Sequence, residues 1–112
     1  MYAVAYKFTL LPSALAHGRR RAEAEFTDIW GAMTTYFKAE CGALGSRLHR
    51  GQDGAFYAYA QWPDAQTYNA VSEITPSQDF AKLRLRWAEL CAPSEILFAG
   101  PVELDLIAAS PS

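Results

Sequence analysis

The residues of this sequence that could do chemistry concentrate in one predicted hairpin. With Arg50 paired opposite Ala55, alternate side chains of the two strands share a face. The set on that face is Arg47, His49, Phe56, Ala58, Ala60 and Trp62. Two small alanines between an imidazole and an indole leave room for a flat ligand, and the ring nitrogens could orient it. The pattern therefore predicts a pocket between sheet and helices that depends on the register of the hairpin.

Each of these side chains also has a structural interpretation. A single histidine on a strand, such as His49, is more often a hydrogen-bonded structural residue than a catalytic one. A tryptophan at a strand end, such as Trp62, usually fills the core beneath the next helix. Tyr68 follows on a short helix, where it fits the rim of a pocket with its hydroxyl exposed. Both interpretations stay open at this point.

The elements that must position these residues begin with a strand, a long helix and the hairpin itself. Large apolar residues occupy every second position from Tyr2 to Leu11, which predicts a strand. The apolar spacing becomes helical from Arg19 to Cys41. Two strands then flank the turn Gly51-Gln52-Asp53-Gly54, and they cover Leu44 to Arg50 and Ala55 to Trp62.

The second half of the chain predicts two helices and a last strand. A short helix runs from Pro63 to Glu73, and a longer one opens at Thr75, where Thr75-Pro76-Ser77-Gln78 resembles a capping box. Alternation returns from Glu95 to Ile107, with a bend at Gly100-Pro101, and residues 108–112 are expected to be frayed.

This order of elements predicts an α+β fold. It matches the ferredoxin-like split βαβ arrangement, in which a four-stranded antiparallel sheet carries helices on one face. A chain of 112 residues fits one domain, which we expect to span residues 1–107.

The other face of the sheet is predicted to be apolar. In the hairpin it would carry Leu48, Arg50, Tyr57, Tyr59 and Gln61. A second copy of the sheet is the simplest cover for such a face, so we expect a homodimer.

Composition excludes several functions and partners. Ten Lys and Arg residues against twelve Asp and Glu residues give a net charge of −2, which argues against nucleic acid as a partner. No apolar run is long enough to cross a membrane, and the amino end does not resemble a secretory signal, so we expect no membrane partner and a cytoplasmic protein. Cys41 and Cys91 have no neighbouring ligands at metal spacing, which predicts buried thiols and no metal site.

The hairpin resembles the antibiotic biosynthesis monooxygenase (ABM) family of dimeric α/β barrels. The resemblance lies in Gly45-Ser46-Arg47-Leu48-His49-Arg50, Asp53-Gly54 and Tyr59-Ala60-Gln61-Trp62, and the order of elements agrees over nearly the whole chain. These motifs are moderately specific for the fold and much less specific for any reaction.

The resemblance implies a set of site residues. Compared with the cofactor-free anthrone monooxygenases of the family, the catalytic positions fall on His49, Trp62 and Tyr68. Ligand-contacting positions fall on Ala58, which replaces an asparagine, and on Lys82, which replaces an arginine. Arg47, on the predicted pocket face of the hairpin, is expected to contact the ligand as well. Alanine removes a hydrogen-bonding amide, and lysine lacks the planar guanidinium fork. Arg84 or Arg86 could supply that fork only if the helix is shifted.

The resemblance also implies a mechanism. A phenolic, anthrone-like or quinol-like substrate would supply the electrons for reaction with O2, so no flavin, metal or other cofactor is expected. His49 would act as base or proton relay, while Trp62 and Tyr68 would orient the substrate.

Two other functions compete with this one. A dimer of the same fold could bind a small ligand without catalysis. The replacement of the family's asparagine by Ala58 favours this function. Haem degradation ranks low, because no histidine follows the hairpin between Trp62 and Cys91.

Overall fold

The computed structural model describes residues 1–107. The frayed tail predicted for residues 108–112 lies outside the described residues. The strands are β1 (Tyr2–Phe8), β2 (Gly45–Arg50), β3 (Phe56–Trp62) and β4 (Glu95–Pro101). The helices are α1 (Pro12–Leu15), α2 (Arg19–Glu40), α3 (Ala65–Asn69), a 3-10 turn (Ala70–Glu73) and α4 (Gln78–Leu90).

The four strands form one antiparallel sheet in the order β2-β3-β1-β4. Helices α2 and α4 pack on one face of this sheet, where their apolar side chains meet those of β1 and β3. The α+β, ferredoxin-like prediction is therefore confirmed. None of the helices within residues 1–107 is long and apolar enough to span a bilayer.

The ends of several elements differ from the prediction. Helix α4 is capped by Ser77, whose side-chain oxygen accepts a hydrogen bond from the backbone N–H of Phe80, so the cap lies two residues beyond the predicted Thr75. The last strand ends at Pro101 and does not reach Ile107. The short helix α1 was not predicted, because four residues are too few to show a helical period.

The register of the hairpin also differs, and this difference changes the site. Arg50 pairs with Phe56 and not with Ala55. The loop is shorter than predicted, because the N–H of Gly51 donates to the carbonyl of Ala55 (2.8 Å) and only three residues lie between them. The one-residue shift moves every β2 side chain to the other face of the sheet.

The prediction for the faces of β2 was therefore wrong, whereas that for β3 is confirmed. Leu48 and Arg50 face the helices, and Arg50 binds Glu23 of α2 through Nη2 and Oε1 (2.9 Å). Arg47 and His49 lie on the open face, paired with Tyr59 and Tyr57.

The core is centred on Phe26 of α2, which is fully buried. Its ring lies 4.6 Å from that of Trp87, 4.7 Å from that of Phe56 and 5.7 Å from that of Phe8, measured between centroids. These contacts join two helices and two strands into one aromatic cluster.

We expect Phe26→Ala to destabilise the protein strongly. Removing a fully buried ring from a cluster held on four elements should lower the free energy of unfolding by about 3–5 kcal/mol. Urea unfolding followed by fluorescence measures the change, with exposed Leu85→Ala on α4 as a control expected to fall within about 0.5 kcal/mol of wild type. Equal effects of the two substitutions would contradict this account of the core.

Candidate functional site

A cavity of about 580 Å3 lies between the sheet and the helices, beside the Phe26 cluster. Tyr6, Ala60 and Trp62 line it from the sheet, and Trp30 and Phe37 line it from α2. Further lining comes from α3, the 3-10 turn and the first turns of α4. Most of this lining is apolar or aromatic, as in sites that bind flat organic molecules.

Trp62 and Tyr68 form one wall of the cavity. Their ring centroids are 5.4 Å apart with the planes at 68°, an edge-to-face contact. Tyr68 is positioned by the start of α3, where Asp64 Oδ1 accepts hydrogen bonds from the N–H and the hydroxyl of Thr67 (both 2.7 Å). These hydrogen bonds lower the pKa of Asp64, so the cap stays ionised at neutral pH. The ring of Tyr2 supports Tyr68 from β1, with centroids 5.6 Å apart.

The titratable groups deepest in the cavity stay neutral at physiological pH. Burial and the neighbouring Tyr68 hydroxyl raise the pKa of Tyr6 far above its usual range. Burial also raises the pKa of the Cys41 thiol. Tyr6 can therefore donate a hydrogen bond, but it is a poor base, and Cys41 is a weak nucleophile.

Two indole N–H groups at the cavity have no acceptor. Nε1 of Trp30 and Nε1 of Trp62 are shielded from solvent, and neither finds a hydrogen-bond partner among residues 1–107. An unpaired buried donor costs roughly 1–3 kcal/mol. A ligand oxygen would relieve this cost, although the wall must first shift to uncover the nitrogen.

The structure brings together only part of the predicted site. Trp62 and Tyr68 both line the cavity. Ala58 faces the helices but is buried in the main core beside it. Exposed Arg47 and His49 project from the opposite face of the sheet, as the corrected register requires. His49 therefore cannot act on a ligand in this cavity of the same chain.

Lys82 is also absent from the cavity. It is exposed on α4 and lies two residues after Phe80, which lines the cavity. Residues two apart point to different sides of a helix, whereas Arg84, four residues after Phe80, shares its side and lines the cavity. Arg86 binds Glu25 of α2 through two hydrogen bonds of 2.6 and 2.7 Å.

Sequence reasoning missed Tyr6 and Trp30 as lining residues, and it left Arg84 open as an alternative to Lys82. Tyr6 and Trp30 were placed in their correct strand and helix, but periodicity does not distinguish a core position from a cavity wall. The spacing of Arg84 from Phe80 is the one signal that could have identified it.

The described residues hold neither a metal-binding cluster nor a disulfide. No cluster of three or more His, Cys, Asp or Glu side chains that could hold a metal ion lies within residues 1–107. Cys41 and Cys91 are both free and buried, which confirms the prediction of buried thiols.

The fold is shared with solved structures of low sequence identity. SnoaB from Streptomyces nogalater, a cofactor-independent oxygenase, is 20% identical, with a TM-score of 0.68 over 94% of this chain and 95% of that one. Rv0793 from Mycobacterium tuberculosis is 21% identical, with a TM-score of 0.61 over 96% and 98% of the two chains. An antibiotic biosynthesis monooxygenase is 15% identical, with a TM-score of 0.59 over 99% and 100%.

No protein-family model and no curated protein matches the chain. The structural matches show that the chain has the ABM-type fold, as the hairpin motifs predicted.

Ala58 and Ala60 should respond differently to added bulk. Ala60→Leu places its extra atoms in the cavity, so we expect its free energy of unfolding to stay within about 1 kcal/mol of wild type. Ala58→Leu overpacks the core and should cost about 1–3 kcal/mol. Urea unfolding of both variants measures the difference. The opposite order would contradict the placement of the cavity.

Proposed function

We propose that this protein is a cofactor-independent monooxygenase that oxidises a phenolic, anthrone-like or quinol-like molecule with O2. The observation that carries the proposal is the cavity between sheet and helices, which is mostly aromatic and has hydrogen-bond donors in its wall. The fold shared with the cofactor-independent oxygenase SnoaB supports the same reaction class.

The reaction class needs little from the protein. An anthrone methylene and one O2 give a ketone and one water, so the substrate supplies all the electrons that reduce oxygen. Loss of a proton from the substrate creates the electron-rich anion that reacts. Catalysis then consists of binding the substrate, stabilising that anion with fixed donors and admitting O2.

Three cavity residues fit these tasks. Trp62 and Tyr68 would hold the substrate in place, as the resemblance implied, and the hydroxyl of Tyr6 beside Tyr68 would donate to the developing oxyanion. Ala58 would contribute only by packing in the hydrophobic core beside the cavity. His49, Arg47 and Lys82 have no part at this cavity.

A second function is favoured by what the cavity lacks. No carboxylate or imidazole lines it within the described residues, so no side chain there has the properties of a general base near neutral pH. A protein that binds an aromatic molecule without oxidising it would need no general base. We therefore keep a non-enzymatic ligand-binding protein as the alternative.

Oxygen uptake with a dihydroxyanthrone in a metal-chelated buffer separates the two functions. We expect wild-type protein to consume O2 above the spontaneous rate, and Ala60→Trp, which fills the cavity, to lose this activity. His49→Ala should retain it, since its side chain lies on the opposite face. Heat-denatured protein gives the background rate.

The pattern of results decides between the functions. Uptake that His49→Ala abolishes, with the fold intact, would contradict the assigned cavity. Thermal stabilisation by the anthrone without uptake would support the binding protein, with about 2.7 kcal/mol expected at a hundredfold excess over Kd. If a panel of phenols produced no oxygen uptake and no thermal stabilisation, both functions would be rejected.

We also propose that the protein is a homodimer through the open face of the sheet. Tyr57 and Tyr59 of β3 project from this face beside Ala3 and Ala5 of β1, which are already buried within the single chain. On β4, Phe98 pairs with Ala5 and is 58% exposed. A second sheet would bury this surface at roughly 25 cal/mol per Å2 of apolar area.

The dimer is tested by light scattering after size-exclusion chromatography. We expect wild type at micromolar concentration to have twice the mass of the chain. Phe98→Glu should be a monomer, because a dimer would bury its carboxylates opposite Ala5 without a countercharge. Leu85→Glu on the outer side of α4, where Leu85 is 71% exposed, is the matched control and should remain dimeric. A monomeric wild type would reject the interface.

A further inference from the structure

The indole N–H of Trp30 is a buried donor that the fold does not use. Trp30 lines the cavity from α2, and its Nε1 is shielded from solvent without an acceptor among residues 1–107. Buried indole N–H groups usually find a partner, so an unpaired one at a cavity points to an acceptor on a ligand. The second unpaired indole, that of Trp62, already has a task in the proposed reaction, whereas Trp30 has none.

Core rings hold the indole of Trp30 in one orientation. Its ring lies 5.0 Å from that of Phe8, 5.7 Å from that of Trp87 and 6.4 Å from that of Tyr6, measured between centroids. Because three rings fix the indole, its N–H loses little conformational freedom when a ligand binds. Met33, one turn further along α2, also lines the cavity, and its unbranched side chain can change rotamer to admit a ligand.

Trp30 lies close to the position at which the resemblance implied an amide. Ala58 pairs with Tyr6 across neighbouring strands, and the ring of Tyr6 meets that of Trp30 in an edge contact. Tyr6 and Trp30 both pack against the core cluster that contains Ala58. An alanine side chain cannot donate a hydrogen bond, whereas an indole that reaches the same region from the helix can.

We infer that Trp30 is a specificity-determining residue, whose N–H donates a hydrogen bond to a ring oxygen of the ligand and so takes over a task that Ala58 cannot perform. This narrows the ligand to flat aromatic ketones, quinones and phenols that carry an oxygen on the ring buried in the cavity. A site with a buried donor discriminates against analogues that lack the matching acceptor, since they leave the donor unpaired. The inference rests on the proposed function, because it takes an aromatic ligand as given.

The test compares fluorenone with fluorene, two flat tricyclic molecules in which a carbonyl replaces a methylene group. Titration calorimetry should show that wild type binds fluorenone at least about fivefold more tightly, as expected for one hydrogen bond to a buried donor. Trp30→Phe keeps an aromatic ring and removes the N–H, so fluorenone should lose about fivefold in affinity while fluorene changes less than about twofold. Trp87→Phe is the matched control, because Trp87 belongs to the same aromatic cluster but does not line the cavity, and it should leave the ratio of the two affinities unchanged.

NMR of the wild-type protein provides a second readout, which decides the question even if Trp30→Phe fails to fold. The sequence contains three tryptophans, so three indole N–H signals are expected, and Trp62→Phe and Trp87→Phe assign them by elimination. Fluorenone should move the Trp30 signal downfield and slow its exchange with D2O, because its carbonyl accepts the N–H, and fluorene should do neither. Ring stacking alone would give similar changes with both ligands.

The failures of the two proposals differ. Equal affinity of wild type for both ligands, a ratio that Trp30→Phe leaves unchanged, or a Trp30 signal that responds equally to both ligands overturns the role of Trp30 and leaves an aromatic-binding cavity. Binding of neither compound overturns the aromatic ligand itself, and with it both proposals.

Discussion

Which side chains of β2 face the helices and which face the open side of the sheet depends on the hydrogen bond that closes the hairpin loop, from the N–H of Gly51 to the carbonyl of Ala55. The loop can be this short because Gly54 adopts a left-handed conformation (φ 83°). A Cβ at Gly51 would clash with the ring of Tyr57, so any side chain there would have to displace that ring. Asp53 holds the loop on the sheet through a 2.5 Å hydrogen bond from the Tyr57 hydroxyl. One more residue between the strands would exchange the two faces of β2.

The cavity follows from an uneven distribution of side-chain volume over the helix-facing side of the sheet. Large rings, including Phe8 and Phe56, fill the space under α2 and α4 around Phe26. Toward the other end of β3 the wall is the small Ala60, followed by Trp62 at the strand end. Long helices cannot bend into the space above a small residue, so the space stays open. The same alternation that builds the core therefore leaves a cavity beside it.

The periodicity of the apolar residues and the turn residues predicted the order of elements and the α+β fold, because helices, strands and turns all depend on local sequence. They also put Trp62 on the helix-facing side of the sheet, since β3 faces the helices in either register, and the structure places Tyr68 of α3 beside it. The faces of β2 depend on the loop, where a four-residue and a three-residue closure suit the same glycines, so His49 was assigned to the wrong side. Arg84 was left as an alternative to Lys82, because the sequence alone did not fix where α4 begins, which in the structure is just after its cap, Ser77.

The observed register also changes which β2 residues belong to the helix-facing side of the sheet and which to its open face. Leu48 joins the core, and its place on the open face is taken by the polar His49 and Arg47, next to β3. The apolar part of the open face thus shifts away from β2, toward β1 and β4, where Phe98 is exposed. A second copy would pack on that half, with the polar side chains of Arg47 and His49 at the rim, where their hydration is kept. The cavity lies on the other side of the same strands, so substitutions on one surface can be made without touching the other.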